Sequence, residues 1–86
     1  MEHQAGEYHV YIMRSIDHPG KFHVGYTADL DRRMEQHNNG RCFETSENYP
    51  WELVWFAQFR DKSKAVNFEK YLKTKPGIEL YRNRLV

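Results

Sequence analysis

Apolar residues concentrate in three stretches that are also rich in β-branched and aromatic side chains, a pattern that predicts β-strands. The stretches are residues 8–15, 21–26 and 51–59. The DHPG segment between the first two favours a tight turn, which predicts an antiparallel hairpin. The third stretch is strongly apolar, so we expect it to be central in the sheet or well covered.

A helical spacing of apolar residues follows the second predicted strand. Thr27 can cap this helix, Asp29 in its first turn favours the helix dipole, and the helix is expected to run to about Asn38. Gly40 can then adopt the positive φ that ends many helices. The inward positions of this helix are Leu30 and Met34.

A second helix is predicted over residues 62–74, after the third strand, with Asp61 as its cap. Pro76 and Gly77 are expected to end it, and residues 78–86 to form a short helix or a frayed tail. Its inward stripe consists of Ala65, Phe68 and Leu72.

The predicted order is β-β-α-β-α with a short C-terminal element, and residues 41–50 are expected to form an irregular loop. This order predicts an α/β (α+β) fold in which helices flank a small, mostly antiparallel three-stranded sheet. The length of 86 residues suits one domain, 1–86, with a core of about 8–75.

Composition narrows the class of protein. The apolar content of 40%, with 15% aromatic residues, is that of a globular domain and argues against intrinsic disorder. Cys42 is the only cysteine, so no intramolecular disulfide can form, and the five histidines lack the close spacing of a zinc site. No apolar run reaches membrane-spanning length and no export signal is visible, so we expect a cytoplasmic protein without a membrane partner.

The net charge of +1 is unevenly distributed along the chain. Residues 1–59 carry five Lys/Arg and nine Asp/Glu, a sum of −4, whereas residues 60–86 carry eight and three, a sum of +5. A basic C-terminal third can contact phosphates, although a solvated helix face is the commoner explanation of such runs.

Polar residues that could carry chemistry come together in this fold. Arg33 and His37 are four residues apart and project from one face of the first helix, at the edge of its packed side, where a polar group can stay wet. Tyr11 and His23 lie on paired strands and can share a face. Glu69 borders the apolar stripe of the second helix.

Tyrosine, arginine, histidine and glutamate together suit phosphodiester cleavage. That reaction needs a proton acceptor for water, a cation for the phosphoryl oxygens and a carboxylate for a divalent metal. Ordinary ion pairs, buried tyrosine hydroxyls and surface histidines would also account for these residue types, so spacing alone leaves both interpretations open.

The sequence resembles the GIY-YIG nuclease family, in particular its small stand-alone bacterial members. The likeness covers about residues 8–73 and consists of five segments in the family's order. They are HVY at 9–11, HVG at 23–25, YTADLDRRMEQHNNG at 26–40, PWELVW at 50–55 and AVNFEKYLK at 65–73.

The resemblance implies hydrolysis of nucleic-acid phosphodiesters, DNA more than RNA, with one divalent metal, Mg²⁺ or Mn²⁺. Tyr11 matches the tyrosine that contacts or helps to activate the attacking water. Arg33 matches the arginine that stabilises the phosphate, His37 an auxiliary proton-transfer or phosphate-contact group, and Glu69 the metal ligand. Gly25 matches the motif glycine, which we expect to be required by a tight turn of the chain. Contacts to the substrate are expected from Gly25, Arg32, Lys70 and Lys73.

The sequence departs from the family pattern at two places. His23 stands where the second motif has a tyrosine; an imidazole accepts a proton more readily near neutral pH than a phenol does. Tyr26 should point to the opposite face of its strand and so not replace that tyrosine. Glu44 and Glu47 stand in a loop that often carries basic residues in relatives, and they should repel nucleic acid.

Two hypotheses follow. The first is a metal-dependent endonuclease, acting on DNA and directed by structure or damage, as in DNA repair. The second is a catalytically weak or inactive module on the same scaffold that binds nucleic acid or acts as an adaptor. No base-reading motif is visible, so a protein partner could supply specificity, and the oligomeric state is left open.

Overall fold

The structure, a computed structural model, describes residues 7–86 and contains the predicted sheet and helices. The strands are β1 (Tyr8–Ser15), β2 (Phe22–Thr27) and β3 (Trp51–Phe59). The helices are α1 (Leu30–Asn38), α2 (Lys62–Leu72) and α3 (Lys75–Leu80). A short 3₁₀ turn, Phe43–Thr45, precedes β3, and a π-helical turn, Tyr81–Leu85, follows α3.

The three strands form an antiparallel sheet in the order β2-β1-β3, which confirms the predicted α+β fold. The central strand is β1, whose residues Val10 to Met13 are at most 1% exposed. Within the hairpin, Tyr11 pairs with Gly25 and Met13 pairs with His23. Tyr11 and His23 are therefore diagonal neighbours on one face of the sheet, as expected.

The prediction that the third strand is central or well covered was wrong. Strand β3 pairs only with β1, and Phe56 and Leu53 are 51% and 37% exposed. Aromatic and β-branched residues suit a half-exposed edge strand as well as a buried one, so apolar content did not distinguish the two positions.

Helices pack on opposite faces of β1, because successive side chains of a strand point to opposite sides. On one face, Val10 and Ile12 contact Ala65 and Leu72 of α2 and Tyr81. On the other face, the buried residues are Tyr11, Met13 and Trp51, and the α1 residues Leu30 and Met34 pack on them. The inward positions predicted for α1 are thus confirmed.

The predicted start of α1 was wrong by two residues. Asp29, not Thr27, is the cap, and its carboxylate accepts the Arg32 backbone N–H at 3.1 Å. The Thr27 hydroxyl instead accepts the Asp29 backbone N–H, because β2 continues to Thr27. The predicted end was right: Gly40 has a φ of 76°.

The end of the second helix also differs from the prediction. Helix α2 stops at Leu72, and Thr74 caps a separate α3 by accepting the Gly77 backbone N–H. Pro76 lies in the first turn of α3, where its missing N–H costs nothing, so it helps to start a helix instead of ending one. None of the helices in residues 7–86 is long and apolar enough to cross a membrane.

Candidate active site

A cavity of about 140 Å³ lies where β2 meets residues from α1, α2 and the loop before β3. Consecutive β2 residues line it, and because β2 is an edge strand, side chains from the helices on both faces can reach it. Its lining residues are Tyr11, His23, Val24, Gly25, Tyr26, Arg33, Glu44, Glu69 and Lys73. Four of the predicted catalytic residues therefore meet in one place.

Tyr11 reaches this cavity from the centre of the sheet. Its side chain crosses over Gly25, its partner on β2, and a Cβ at Gly25 would lie 2.5 Å from the Tyr11 hydroxyl oxygen. The expected reason for this glycine, a tight turn, was wrong: Gly25 is within β2 and does not have a positive φ. Glycine is needed because the Tyr11 ring occupies the space of its side chain.

The fifth predicted catalytic residue, His37, lies behind Tyr11. Its Nε2 atom is 2.9 Å from the Tyr11 hydroxyl and its Nδ1 atom is 2.8 Å from the Thr45 hydroxyl. The expectation that His37 is exposed to solvent was wrong, because its side chain is fully buried. Burial, and after it the electrostatic influence of the neighbouring His23 and of the Arg33 cation, lowers the pKa of His37 from 6.5 to about 4, so the ring is neutral at pH 7.

Arg33 provides positive charge beside Tyr11. The Tyr11 hydroxyl raises the pKa of Arg33, which stays charged, and Arg33 Nη1 donates to Gln36 Oε1 at 3.0 Å. Burial raises the pKa of the Tyr11 phenol, and Arg33 opposes part of that rise. The phenol is therefore neutral, with a cation at its oxygen.

His23 faces the same cavity from β2. Its ring centroid lies 5.2 Å from that of His37 and 6.4 Å from that of Tyr11. Burial, and after it the positive charge of Lys73, lowers the pKa of His23, which favours the neutral imidazole. A half-buried neutral imidazole can accept a proton and pass it to solvent.

Glu69 supplies a carboxylate from α2 and borders the core as predicted, being 9% exposed. Its Oε2 atom forms an ion pair with Lys73 Nζ at 2.6 Å. The Glu69 carboxylate is thus already paired with a cation, the Lys73 ammonium group.

The donor set suits a hydrated hard cation. Glu69 and Glu44 supply the carboxylates of the cavity, and residues 7–86 contain no cluster of three or more His, Cys, Asp or Glu side chains that could hold a metal. Mg²⁺ usually keeps several waters and binds one or two protein carboxylates, whereas structural zinc needs four protein ligands.

The other expected substrate contacts divide into two groups. Gly25 and Lys73 line the cavity, whereas Arg32 and Lys70 are exposed and do not line it. Arg32 and Lys70 stay predicted contacts to a substrate long enough to extend beyond the cavity.

Sequence reasoning missed Thr45 and the place of Tyr26 in the cavity lining. Thr45 lies in a segment expected to be irregular, and its importance becomes visible only from its contact with the buried His37 ring. Tyr26 pairs with Val10, on the face opposite Tyr11 as expected, yet it lines the same cavity, because the cavity extends around the edge of β2.

One small polar cavity on an α+β scaffold is thus lined by a phenol, an imidazole, a guanidinium and two carboxylates, a set of groups suited to phosphodiester chemistry. The GIY-YIG catalytic domain matches this chain over residues 7–81. The chain belongs to the GIY-YIG family.

Relatives of two kinds are similar to the chain. It is 36% identical over 73 residues to the structure-specific endonuclease subunit SLX1 of Debaryomyces hansenii, a match that covers 77% of this chain and 21% of the relative. It is 33% identical over 76 residues to a UPF0213 protein of Streptococcus pneumoniae, covering 87% and 72%. For a UPF0213 protein of Listeria welshimeri the identity is 32% over 71 residues, covering 81% and 77%. The chain spans about a fifth of the length of the SLX1 relative.

Proposed function

We propose that this protein is a metal-dependent endonuclease that hydrolyses phosphodiester bonds, in DNA more than in RNA. The observation that carries the proposal is that Tyr11, His23, Arg33 and Glu69 line a single cavity. Family membership supports the nuclease class.

In this mechanism a phosphate of the backbone enters the cavity and contacts Arg33. The guanidinium presents several N–H donors in one plane, which match phosphate oxygens and stabilise the charge that grows on them. Lys73 adds a second positive charge at the rim. The negative charge of Glu44 repels the phosphate, so binding requires the positive charges of Arg33 and Lys73 to exceed that repulsion.

Water is held by Tyr11 and loses its proton to His23. Tyr11 orients the water through its oxygen, which lies between His37 and the cavity. The water oxygen forms a bond to phosphorus, the ester P–O bond breaks, and the departing oxygen takes a proton from solvent. His23 then returns its proton to solvent, and the products are a phosphomonoester end and a hydroxyl end.

Glu69 would hold the divalent metal, Mg²⁺ or Mn²⁺, at the cavity wall. When bound, the ion supplies Lewis-acid stabilisation of the phosphoryl and departing oxygens. Lys73 has to leave the carboxylate for that binding, and it then becomes free to contact the substrate.

A second cavity, of about 220 Å³, adjoins the first and shares His23, Val24 and Lys73 with it. Phe22, Ile78 and Tyr81 give it a more apolar wall. A nucleotide next to the cleaved phosphate has such a mixture of charged and apolar surface. The name of the SLX1 relatives, structure-specific endonuclease subunit, supports a structure-directed substrate, for which we propose branched or damaged DNA.

The test is cleavage of branched and nicked DNA with and without Mg²⁺. We expect cleavage only with the metal, and Glu69→Gln should lower kcat by about 100-fold or more. Glu79→Gln, an exposed carboxylate on α3, is the matched control and should cleave normally. Activity that is indifferent to Glu69→Gln would contradict the proposed metal role.

A second candidate is a binding module with weak or no cleavage, and the presence of Glu44 in the cavity favours it. His23→Tyr separates the two, because it restores the residue type of the family motif. Cleavage that appears or rises strongly in this variant would indicate a nuclease that has lost activity. Loss of cleavage in it would support His23 as the proton acceptor.

A further inference from the structure

Thr45 is a buried polar residue that the mechanism above does not use. It is 1% exposed and lies in the 3₁₀ turn Phe43–Thr45, outside the cavity lining. Its hydroxyl oxygen is 2.8 Å from His37 Nδ1 and 3.3 Å from the Cys42 carbonyl oxygen. A chain of buried contacts therefore runs from Tyr11 through His37 to Thr45.

The proton positions along this chain follow from the donors and acceptors. The Thr45 hydroxyl has one proton, and the Cys42 carbonyl oxygen, 3.3 Å away, can only accept it; with the proton in that bond, the hydroxyl oxygen accepts from His37 Nδ1. A neutral imidazole carries a single N–H, so Nε2 is unprotonated and accepts the Tyr11 hydroxyl proton.

Arg33, whose charge acts on the Tyr11 hydroxyl, supports the same direction. A guanidinium has donors and no acceptor, so it favours a Tyr11 oxygen that presents lone pairs. Both neighbours of the phenol therefore favour a proton that points toward His37.

We propose that Thr45 is a positioning residue that fixes His37 as the Nδ1–H tautomer and so makes the Tyr11 oxygen a hydrogen-bond acceptor toward the cavity. In the opposite tautomer, His37 would donate to Tyr11 and the phenol would point its proton at the water or the phosphate. Thr45 thus sets the polarity of the group that orients the attacking water. The value of that polarity for catalysis rests on the proposed function, whereas the tautomer itself does not.

The loop is built to hold Thr45 in place. The Trp51 indole N–H donates to the Thr45 carbonyl oxygen at 3.1 Å, and the Thr45 backbone N–H donates to the Cys42 carbonyl at 3.1 Å. Asn38 at the end of α1 donates to the Trp51 carbonyl at 3.0 Å and accepts the Trp51 backbone N–H. The segment is thus tied to the helix that carries His37.

The experiment is ¹⁵N NMR of the histidine rings in the free protein at neutral pH, where protonated and unprotonated ring nitrogens have distinct shifts. We expect His37 to show Nδ1–H in the wild type and in Thr45→Ser, which keeps the hydroxyl. In Thr45→Val, which has no acceptor, we expect the Nε2–H form. Ser46→Ala removes the neighbouring hydroxyl, which contacts Phe43 instead of His37, and should leave the tautomer unchanged.

Tyr11→Phe separates the influence of Thr45 from that of Tyr11 and does not require Thr45→Val to fold. If Thr45 sets the tautomer, His37 stays Nδ1–H when the phenol hydroxyl is removed. A wild-type Nε2–H form, a shift to Nε2–H in Tyr11→Phe, or an Nδ1–H form that persists in Thr45→Val would each overturn the proposal.

A kinetic comparison tests the consequence. Thr45→Val should lower kcat about tenfold or more with KM little changed, and Thr45→Ser should restore it. Full kcat with a reversed tautomer would refute the role of Tyr11 polarity. A wild type that cleaves no DNA would refute the proposed function instead, while the NMR result would still decide the tautomer.

Discussion

At the scale of single residues, the site depends on a glycine and a tyrosine that face each other across the hairpin. Gly25 leaves room for the Tyr11 ring, whose hydroxyl would otherwise meet a Cβ at 2.5 Å. The sequence predicted both residues as functional but gave a different reason for the glycine. The correct reason needs the strand register, which pairs positions 11 and 25.

Gly25→Ala should therefore displace Tyr11 from the cavity. We expect a loss of about 1–3 kcal/mol in the free energy of unfolding, as for other overpacked core sites, and a fall in kcat larger than that in Gly20→Ala. Gly20 is the matched control, because a Cβ there would meet nothing within 4 Å. Chemical denaturation and cleavage kinetics measure the two effects. Equal behaviour of the two variants would contradict the contact with Tyr11.

The buried His37 makes a second prediction, on the pH dependence of stability. Its pKa is about 4 in the folded protein and near 6.5 in the unfolded chain. Between those values the unfolded state binds a proton that the folded state does not, so stability is complete above pH 6.5 and falls as the pH drops toward 4. The loss contributed by this ring is about 3 kcal/mol.

Denaturation series at several pH values measure this contribution against two variants. His37→Asn should lack this part of the slope, whereas the exposed His18→Asn should retain it. A slope that is the same in the wild type and His37→Asn would show that His37 is not held neutral by burial.

At the scale of elements, sequence periodicity located all strands and the two longer helices, because hydrophobic spacing is a local property. Sequence periodicity failed where contacts with a neighbouring element determine the structure. The cap of α1 moved to Asp29 because β2 extends to Thr27, and β3 became an edge strand because β1 has partners on both sides. The turn that buries Thr45 has no apolar period and could not be recognised.

Glu69 on α2 and Lys73, which caps the end of that helix, form an ion pair one turn apart, and this pair predicts competition with metal. Removal of the ammonium group in Lys73→Met should tighten Mn²⁺ binding about fivefold, because the carboxylate no longer exchanges one cation for another. Lys70→Met removes the same charge from an exposed position of the same helix and should change binding less. Electron paramagnetic resonance titration of Mn²⁺ measures both without any need for cleavage. Weaker Mn²⁺ binding in Lys73→Met would contradict the competition.

At the scale of the whole molecule, the candidate site combines residues from both faces of the sheet. Spacing could suggest that Arg33 and His37 share a helix face, and the resemblance added Tyr11 and Glu69. Neither could show that His37 is sealed behind Tyr11 or that Glu44 enters the cavity, since both depend on how residues 41–50 fold back over the sheet.

The small number of cations at the cavity leads to a prediction on how nucleic-acid binding depends on salt. Arg33 and Lys73 give the cavity region few cations, so we expect contacts to about two or three phosphates. DNA affinity should then fall about 10- to 40-fold between about 50 and 200 mM salt, because counterions are released when phosphates are neutralised. Fluorescence anisotropy with the Glu69→Gln variant measures this without cleavage of the probe.

Glu44→Gln tests whether the cavity is where the phosphate binds. Removal of this carboxylate should raise DNA affinity several-fold at low salt, because it eliminates repulsion beside Arg33. Glu47→Gln removes an equal charge from a position of the same loop that does not line the cavity, and should have a smaller effect, since solvent and salt screen a charge that lies farther from Arg33. Equal effects would place the phosphate elsewhere on the basic C-terminal third. Affinity that does not depend on salt would exclude phosphate contacts as its source and direct attention to a protein partner.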